Sequence, residues 1–135
     1  MRPGQGLLDT SVVILLDRLD EHSDLPEEPL ITAVTLAELS VGPLVTDDES
    51  ERAARQARVQ ATEASFDPLS FDASAARTFG RVAAELRRSG RTARARSFDA
   101  MIAATALSRG LPIFTANPED FNGIEGLEVV TIARA

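Results

Sequence analysis

Short apolar runs of strand type alternate along this chain with longer stretches of helical spacing, and that alternation restricts the fold more than any other feature. Gly6-Leu7-Leu8, Leu30-Ile31-Thr32-Ala33-Val34, Leu111 to Thr115 and Leu127 to Ile132 read as strands. After the first, Val12, Leu15, Leu16 and Leu19 follow helical spacing. Pro26 and Pro29 bracket a loop before the second strand, and a helix starts over Thr35 to Leu39, broken by Gly42-Pro43. Further helices are expected over 46–65, over 73–89 from an Asp72 N-cap to Gly90, and over 97–109 up to Gly110, with 66–71 extended around Pro68. Such alternation makes an α/β domain with a central, mainly parallel sheet covered by helices on both faces. In these sheets a ligand lies at the carboxyl ends of the strands. No repeat or long linker divides the 135 residues, so 1–135 reads as one domain.

Composition then removes whole classes of chemistry. There is no Cys, which excludes disulfides, thiolate metal sites and Cys nucleophiles. All 14 basic residues are Arg, so Schiff-base and P-loop lysines are absent. The single His22, in a polar stretch between Leu19 and Pro26, reads as a solvated linker residue, and a Ser-His-Asp mechanism would depend on it alone. Apolar runs such as Val12 to Leu16 are far short of the roughly 20 residues of a membrane span, and no apolar segment of leader type follows Arg2. A cytoplasmic protein with no membrane partner is expected. A net charge of −7 argues against a binder that works by neutralising phosphates, but not against an enzyme that meets phosphates through bound cations. What remains is carboxylate chemistry.

Four carboxylates occupy related local contexts. Asp9 follows Leu7-Leu8, Glu38 follows the second apolar run, Asp99 heads Phe98-Asp99-Ala100-Met101-Ile102, and Asp120 follows Ile113-Phe114-Thr115 across Ala116-Asn117-Pro118-Glu119. With parallel strands all four converge at one end of the sheet. Two carboxylates ~4 Å apart repel by about 4 kcal/mol at an effective dielectric of ~20. Such a cluster must take up protons or bind a divalent cation. Oxygen-only ligands favour Mg²⁺ or Mn²⁺, and two such ions suit in-line displacement at phosphorus. Each residue also has a purely structural reading. Asp9 can N-cap a helix, Thr35 and Glu38 stand at capping-box spacing, Asp99 suits a helix N-terminus, and Asp120 suits a turn.

Taken in order, Leu7-Leu8-Asp9-Thr10-Ser11-Val12, Leu36-Ala37-Glu38-Leu39-Ser40-Val41-Gly42, Asp99 to Ala106 and Thr115-Ala116-Asn117-Pro118-Glu119-Asp120-Phe121 resemble the PIN-domain family, and within it the VapC toxins of bacterial toxin–antitoxin pairs. The resemblance runs from Leu7 to about Ile132. It implies a PIN-like fold and a metal-dependent endoribonuclease that cuts RNA with metal-activated water. Asp9, Glu38, Asp99 and Asp120 would be its catalytic residues and the ligands of Mg²⁺ or Mn²⁺. Thr10 or Ser11 matches a supporting hydroxyl, and Thr115 and Asn117 belong to the closing pattern. Ala116 stands where the family often has a basic residue, and Glu119 is a second candidate for the fourth carboxylate.

The resemblance also implies a cognate VapB-type antitoxin, a homodimer and a toxin–antitoxin hetero-oligomer. Arg87, Arg88, Arg91, Arg94 and Arg96 form a dense basic run just before Asp99, either a phosphate-guiding surface or a helix end with a solvated loop. An antitoxin that blocks the pocket is expected to insert an Arg that competes with the cation at Asp9 and Asp99. Its apolar contacts are expected near Val12, Leu16, Leu36 and Leu39. Two other readings use the same residues: a PIN-like binding module that does not cut, and a metal-dependent DNA nuclease or phosphatase. All four acidic positions argue against the first, because a silent module gains nothing from clustered charge.

Overall fold

The computed structural model describes residues 4–19, 24–90 and 97–133. Within them, four parallel strands form one sheet: β1 (Gln5–Leu8), β2 (Glu28–Leu30), β3 (Ile113–Thr115) and β4 (Val129–Thr131), in the order β2-β1-β3-β4. The helices are α1 (Thr10–Leu15), α2 (Ala33–Val41), α3 (Glu49–Ser65), α4 (Ala73–Arg88) and α5 (Ser97–Arg109). Leu7 pairs with Ile113 and Leu8 with Phe114. Because successive strand residues point to opposite faces, these two pairs start two cores. Leu7 and Ile113 pack with Val82 and Leu86 of α4 and with Ala100, Ile102, Ala103 and Ala106 of α5. Leu8 and Phe114 pack with Val12 and Val13 of α1, Leu39 of α2 and Val59 of α3. Helices therefore cover both faces, as the alternation requires.

Small side chains decide how close these layers come. A Cβ on Gly6 would run into the Phe114 ring, so only glycine lets that ring lie across β1. In α5, Ile102, Ala103, Ala104, Thr105 and Ala106 are buried in succession, the mark of a helix enclosed on all sides. Gly90 and Gly110 end α4 and α5 at φ +87° and +66°, a region open mainly to glycine.

The structure differs from the sequence reading in several places. Ala33 and Val34 are not strand but the first residues of α2, because Thr32 caps the helix by accepting from the Thr35 N–H at 3.1 Å. Helix α2 thus begins two residues before Thr35. Pro29 is inside β2 rather than in a loop, which is tolerated because β2 is an edge strand. Helix α3 begins at Glu49 rather than 46, since the Asp48 side chain accepts from the Ser50 N–H and closes the N-terminus there. Strands β3 and β4 are each two residues shorter at their starts than expected. The Asp72 cap of α4 is where it was expected, accepting from Ala75 N–H at 3.0 Å. His22, Arg91, Arg94 and Arg96 lie outside the described residues.

Candidate active site

The chain passes from β1 to its neighbour β2 on one side, and from β3 to β4 on the other. The crevice where these connections part, at the carboxyl ends of β1 and β3, is where an open parallel sheet binds ligands. Asp9 is the first residue beyond β1 and Thr115 the last of β3. Both are buried.

Asp9 is held by three donors. Its Oδ1 accepts from Ser11 Oγ at 2.6 Å and from the Val12 N–H at 3.1 Å, and its Oδ2 accepts from Thr115 Oγ1 at 2.6 Å. It caps α1 as expected. The hydroxyls are fixed as donors from behind. Ser11 Oγ accepts from the Ala116 N–H at 3.0 Å, and Thr115 Oγ1 accepts from the Asn117 N–H at 2.9 Å. A carboxylate has about four acceptor positions, so roughly one is left on Asp9.

Glu38 stands across from it on α2. Its Oε1 accepts from Thr10 Oγ1 at 2.6 Å. Thr10 has given its one proton to Glu38, so the 3.1 Å contact between Thr10 Oγ1 and Thr35 Oγ1 has Thr35 as donor. The adjacent residues Thr10 and Ser11 thus divide the work, one orienting Glu38 and the other Asp9. The capping reading of Glu38 does not hold. With Thr32 as N-cap, Glu38 is in the second turn of α2, out of reach of the terminal amides.

Burial raises the Asp9 carboxyl above its ordinary value; the bonds from Ser11, Thr115 and Val12 oppose this, and the charge of Asp120 adds to it. Burial likewise raises Glu38, opposed by Thr10 and reinforced by the charge of Asp9. Asp9, Glu38 and Asp120 therefore share one electrostatic neighbourhood. Asp120 is half-buried in the 3₁₀ turn Pro118–Phe121, whereas Glu119 is exposed. Asp99 is half-buried in the first turn of α5. Arg87 and Arg88 are exposed at the C-terminal end of α4.

Among the described residues, no three carboxylates stand close enough to form a metal-holding group by themselves, and neither Asp9 nor Glu38 has an ion pair. Mg²⁺ needs only one or two carboxylates, completed by waters and substrate phosphates. A buried Asp9 and a half-buried Glu38 that feels its charge, each with an unused oxygen position and no ion pair among the described residues, fit such an ion.

The sequence reading missed two features. Thr35 is fully buried in the site, and its spacing of three from Glu38 could have placed it on the same helix face. A second group, Arg18, Arg55 and Arg58, lines a cleft that also takes in Thr10 and Glu38. The apolar faces assigned to a partner are corrected. Val12 and Leu39 are buried in the core, because α1 and α2 turn them onto the sheet; Leu16 and Leu36 are half-buried against it, and Leu16 also lines an apolar groove with Ile14. Among the described residues, the exposed large apolar ones are instead Ile14, Val41, Leu44, Val45 and Phe98.

Comparison with known proteins identifies the fold and family. The PIN domain family matches residues 6–127. Ribonuclease VapC5 of Mycobacterium tuberculosis is 41% identical over 135 residues, covering 98% of this chain and 96% of its own length. The tRNA(fMet)-specific endonuclease VapC of Shigella flexneri is 40% identical over 98 residues, 72% of this chain and 70% of its own. A crystal structure of VapBC-5, a member of the VapBC family of toxin–antitoxin systems from Mycobacterium tuberculosis, superposes with TM-score 0.75 at 36% identity, covering 98% of this chain and 100% of that one. With the family match over 6–127 and this likeness to VapC ribonucleases along nearly its whole length, the protein belongs to the PIN-domain family, in its VapC group.

Proposed function

We propose that this protein is an endoribonuclease, the toxin of a type II toxin–antitoxin pair, that hydrolyses RNA phosphodiesters with the help of Mg²⁺ or Mn²⁺. The observation that carries this reading is the buried Asp9 carboxylate at the switch point, fixed by Ser11 and Thr115 and coupled by charge to Glu38 and Asp120. Asp9 and Asp99 are the main ligands proposed for the cation, with Glu38 and Asp120 completing the site or orienting water. When bound, the cation supplies Lewis-acid activation of water and neutralises charge that develops on the phosphate.

The protein's own groups do the rest. Ser11 and Thr115 keep both Asp9 oxygens directed and hydrogen-bonded, so the carboxylate needs no reorganisation as the site is loaded. Thr10 holds Glu38 by one oxygen and leaves the other available to a water or a cation. Asn117 and Ala116 act through their backbone amides, which lock the two hydroxyls in donor orientation. Arg87 and Arg88, with Arg91, Arg94 and Arg96, are proposed to guide the RNA backbone.

The partner proposed is a VapB-type antitoxin, within an assembly that also contains a homodimer of this chain. Its support is the likeness to the VapBC-5 toxin–antitoxin structure over nearly the whole chain. An inserted Arg on the partner would compete with the cation at Asp9 and Asp99.

RNA cleavage with Mn²⁺ or Mg²⁺ and with EDTA, by wild type and by Asp99→Asn, tests the proposal. Cleavage should require the cation and disappear in the variant. Cleavage in EDTA, or by Asp99→Asn at the wild-type rate, would overturn the metal assignment. A wild-type chain that cuts DNA but not RNA would overturn the substrate.

A further inference from the structure

An RNA strand is a polyanion, and this chain carries a net charge of −7, so productive approach to a carboxylate site needs a local reversal of sign. Besides the basic run at 87–96, a cleft next to the site provides it. This cleft, of about 470 Å³, opens beside Glu38 and Thr10, between the end of α1 and the face of α3. Its charged lining is Arg18, Arg55 and Arg58 against Glu38 and Glu51, three cations to two carboxylates. Arg55 and Arg58 share a helix face with Glu51.

The three arginines are not equivalent. Arg55 is committed, with Nε on Glu51 Oε1 at 3.0 Å and Nη1 on the Gly42 carbonyl at 2.9 Å. Arg52, one turn earlier, is spent on the Pro43 and Thr46 carbonyls. Arg18 and Arg58 make no side-chain hydrogen bond or ion pair among the described residues. Arg58 also borders the neighbouring apolar groove with Ile14, where its aliphatic stem has a surface to lie on while the guanidinium stays free. Two uncommitted guanidiniums therefore share a cleft with the Thr10–Glu38 pair.

We infer that Arg18 and Arg58 form a phosphate clamp that holds the RNA backbone in this cleft, alongside the carboxylate centre. The inference rests on the ribonuclease reading above and adds positioning residues that lie outside the basic run at 87–96. Each arginine presents a planar fork suited to a phosphodiester, and Arg55 with Glu51 forms the rigid wall between them and the end of α2. The clamp reads charge and not base, since no aromatic ring lines the cleft.

The test is binding of a fluorescein-labelled single-stranded RNA, followed by anisotropy in EDTA over a salt series. Comparing wild type with the double variant Arg18→Gln/Arg58→Gln, affinity at low salt should fall by about tenfold or more. The slope of log affinity on log salt should flatten by about 1.4, at ~0.7 per lost contact for a single strand. Arg58→Lys in the wild-type background should keep most of the salt slope. Arg77→Gln, an exposed substitution on α4, should match the wild type. In cleavage assays the double variant should raise KM while kcat holds within about twofold, the pattern of a group that binds ground and transition states alike. Wild-type affinity and slope in the double variant, in a chain that does bind and cut RNA, would overturn the clamp and leave the ribonuclease reading intact. A double variant that binds RNA normally but loses its antitoxin would assign the arginines to the partner and overturn the clamp as well. A wild type that neither binds nor cuts RNA would remove both.

Discussion

At the switch point, Asp9 ties together three pieces of the fold: the end of β1, the start of α1, and the end of β3 through Thr115. On the opposite wall, Glu38 is tied to one hydroxyl, that of Thr10, and no part of α2 depends on it for capping. Both are buried enough to be raised above their ordinary values, and both share the same electrostatic neighbourhood. The difference lies in what each holds up. Asp9 combines a structural role with the chemical one proposed for it, whereas the carboxylate proposed to act at Glu38 holds up little of the fold. Substitutions at Asp9 therefore need a stability control, and substitutions at Glu38 report on chemistry almost alone.

The largest effect is expected at Asp9. Asp9→Asn should lower cleavage by on the order of a hundredfold or more, since it removes charge from the carboxylate proposed to hold the cation. It should also cost about 1 kcal/mol of stability, because an amide nitrogen would face one of three donors. Asp9→Ala should cost roughly 2–3 kcal/mol, losing the cap and leaving the Ser11 and Thr115 hydroxyls without their acceptor. Urea unfolding beside RNA cleavage separates the two. If Asp9→Asn and Asp9→Ala unfold alike, the hydroxyl network is not holding the carboxylate.

How much of this was legible in the sequence follows the range of the interactions. The alternation of apolar runs and helical spacing, and the order of Asp9, Glu38, Asp99 and Asp120, are local patterns and pointed to the sheet and to its carboxyl end. Caps misled where two residues could serve. Thr32 and Thr35 are both plausible N-caps by type, and only the strand register decides that Thr32 is the one at the turn. Thr115 was legible as part of a motif, but its bond to Asp9 joins residues 106 apart and depends on the β1–β3 pairing. The Arg18 and Arg58 cleft was invisible for the same reason: its charges come from the turn after α1, from α2 and from α3, which only packing brings together.

Glu38→Gln should lose activity nearly as severely as Asp9→Asn while unfolding within about 0.5 kcal/mol of the wild type, because the amide oxygen still accepts from Thr10. The pH dependence of stability sharpens this contrast. Asp9 and Glu38 have folded pKa values raised from 3.8 and 4.5, so the folded chain binds more protons than the unfolded one above those values. Stability without metal should be greatest at low pH from these two groups, fall as pH rises through their folded pKa values, and level off above. Glu38→Gln should remove its share of that fall. Added Mn²⁺ should stabilise the wild type increasingly over the same rise in pH, because it competes with protons for the same oxygens. A stability that rises with pH across this window, with Glu38→Gln unchanged, would break the assignment of burial as the dominant influence.

A smaller change is expected from Thr115→Val, which keeps the shape of β3 and removes one donor to Asp9. The Asn117 N–H loses its acceptor as well, so the cost should be about 1–2 kcal/mol. With one lowering bond gone, the Asp9 carboxyl moves further up, and the concentration of Mn²⁺ needed for half-maximal cleavage should rise most at the lower end of the pH range. An unchanged metal requirement in Thr115→Val would assign the hydroxyl to the strand end alone.

The finest distinction is between neighbours in the turn after β3. Asp120 is half-buried and its charge is felt at Asp9, whereas Glu119 is exposed one residue earlier. Asp120→Asn should lower cleavage by about tenfold, in the range of groups that support a metal site without dominating it. It should also lower the Asp9 pKa, since the like charge that raised it is gone, and this moves the acid limb of the cleavage–pH profile downward. Glu119→Gln should alter cleavage by less than about twofold, as a solvated charge beyond the site is screened by water and salt. The two variants differ by one methylene and one position in the chain, so they compare placement rather than residue type. Equal losses in both would mean that the turn carries its charge as a patch. A loss in Glu119→Gln alone would move the fourth carboxylate of the site one residue along.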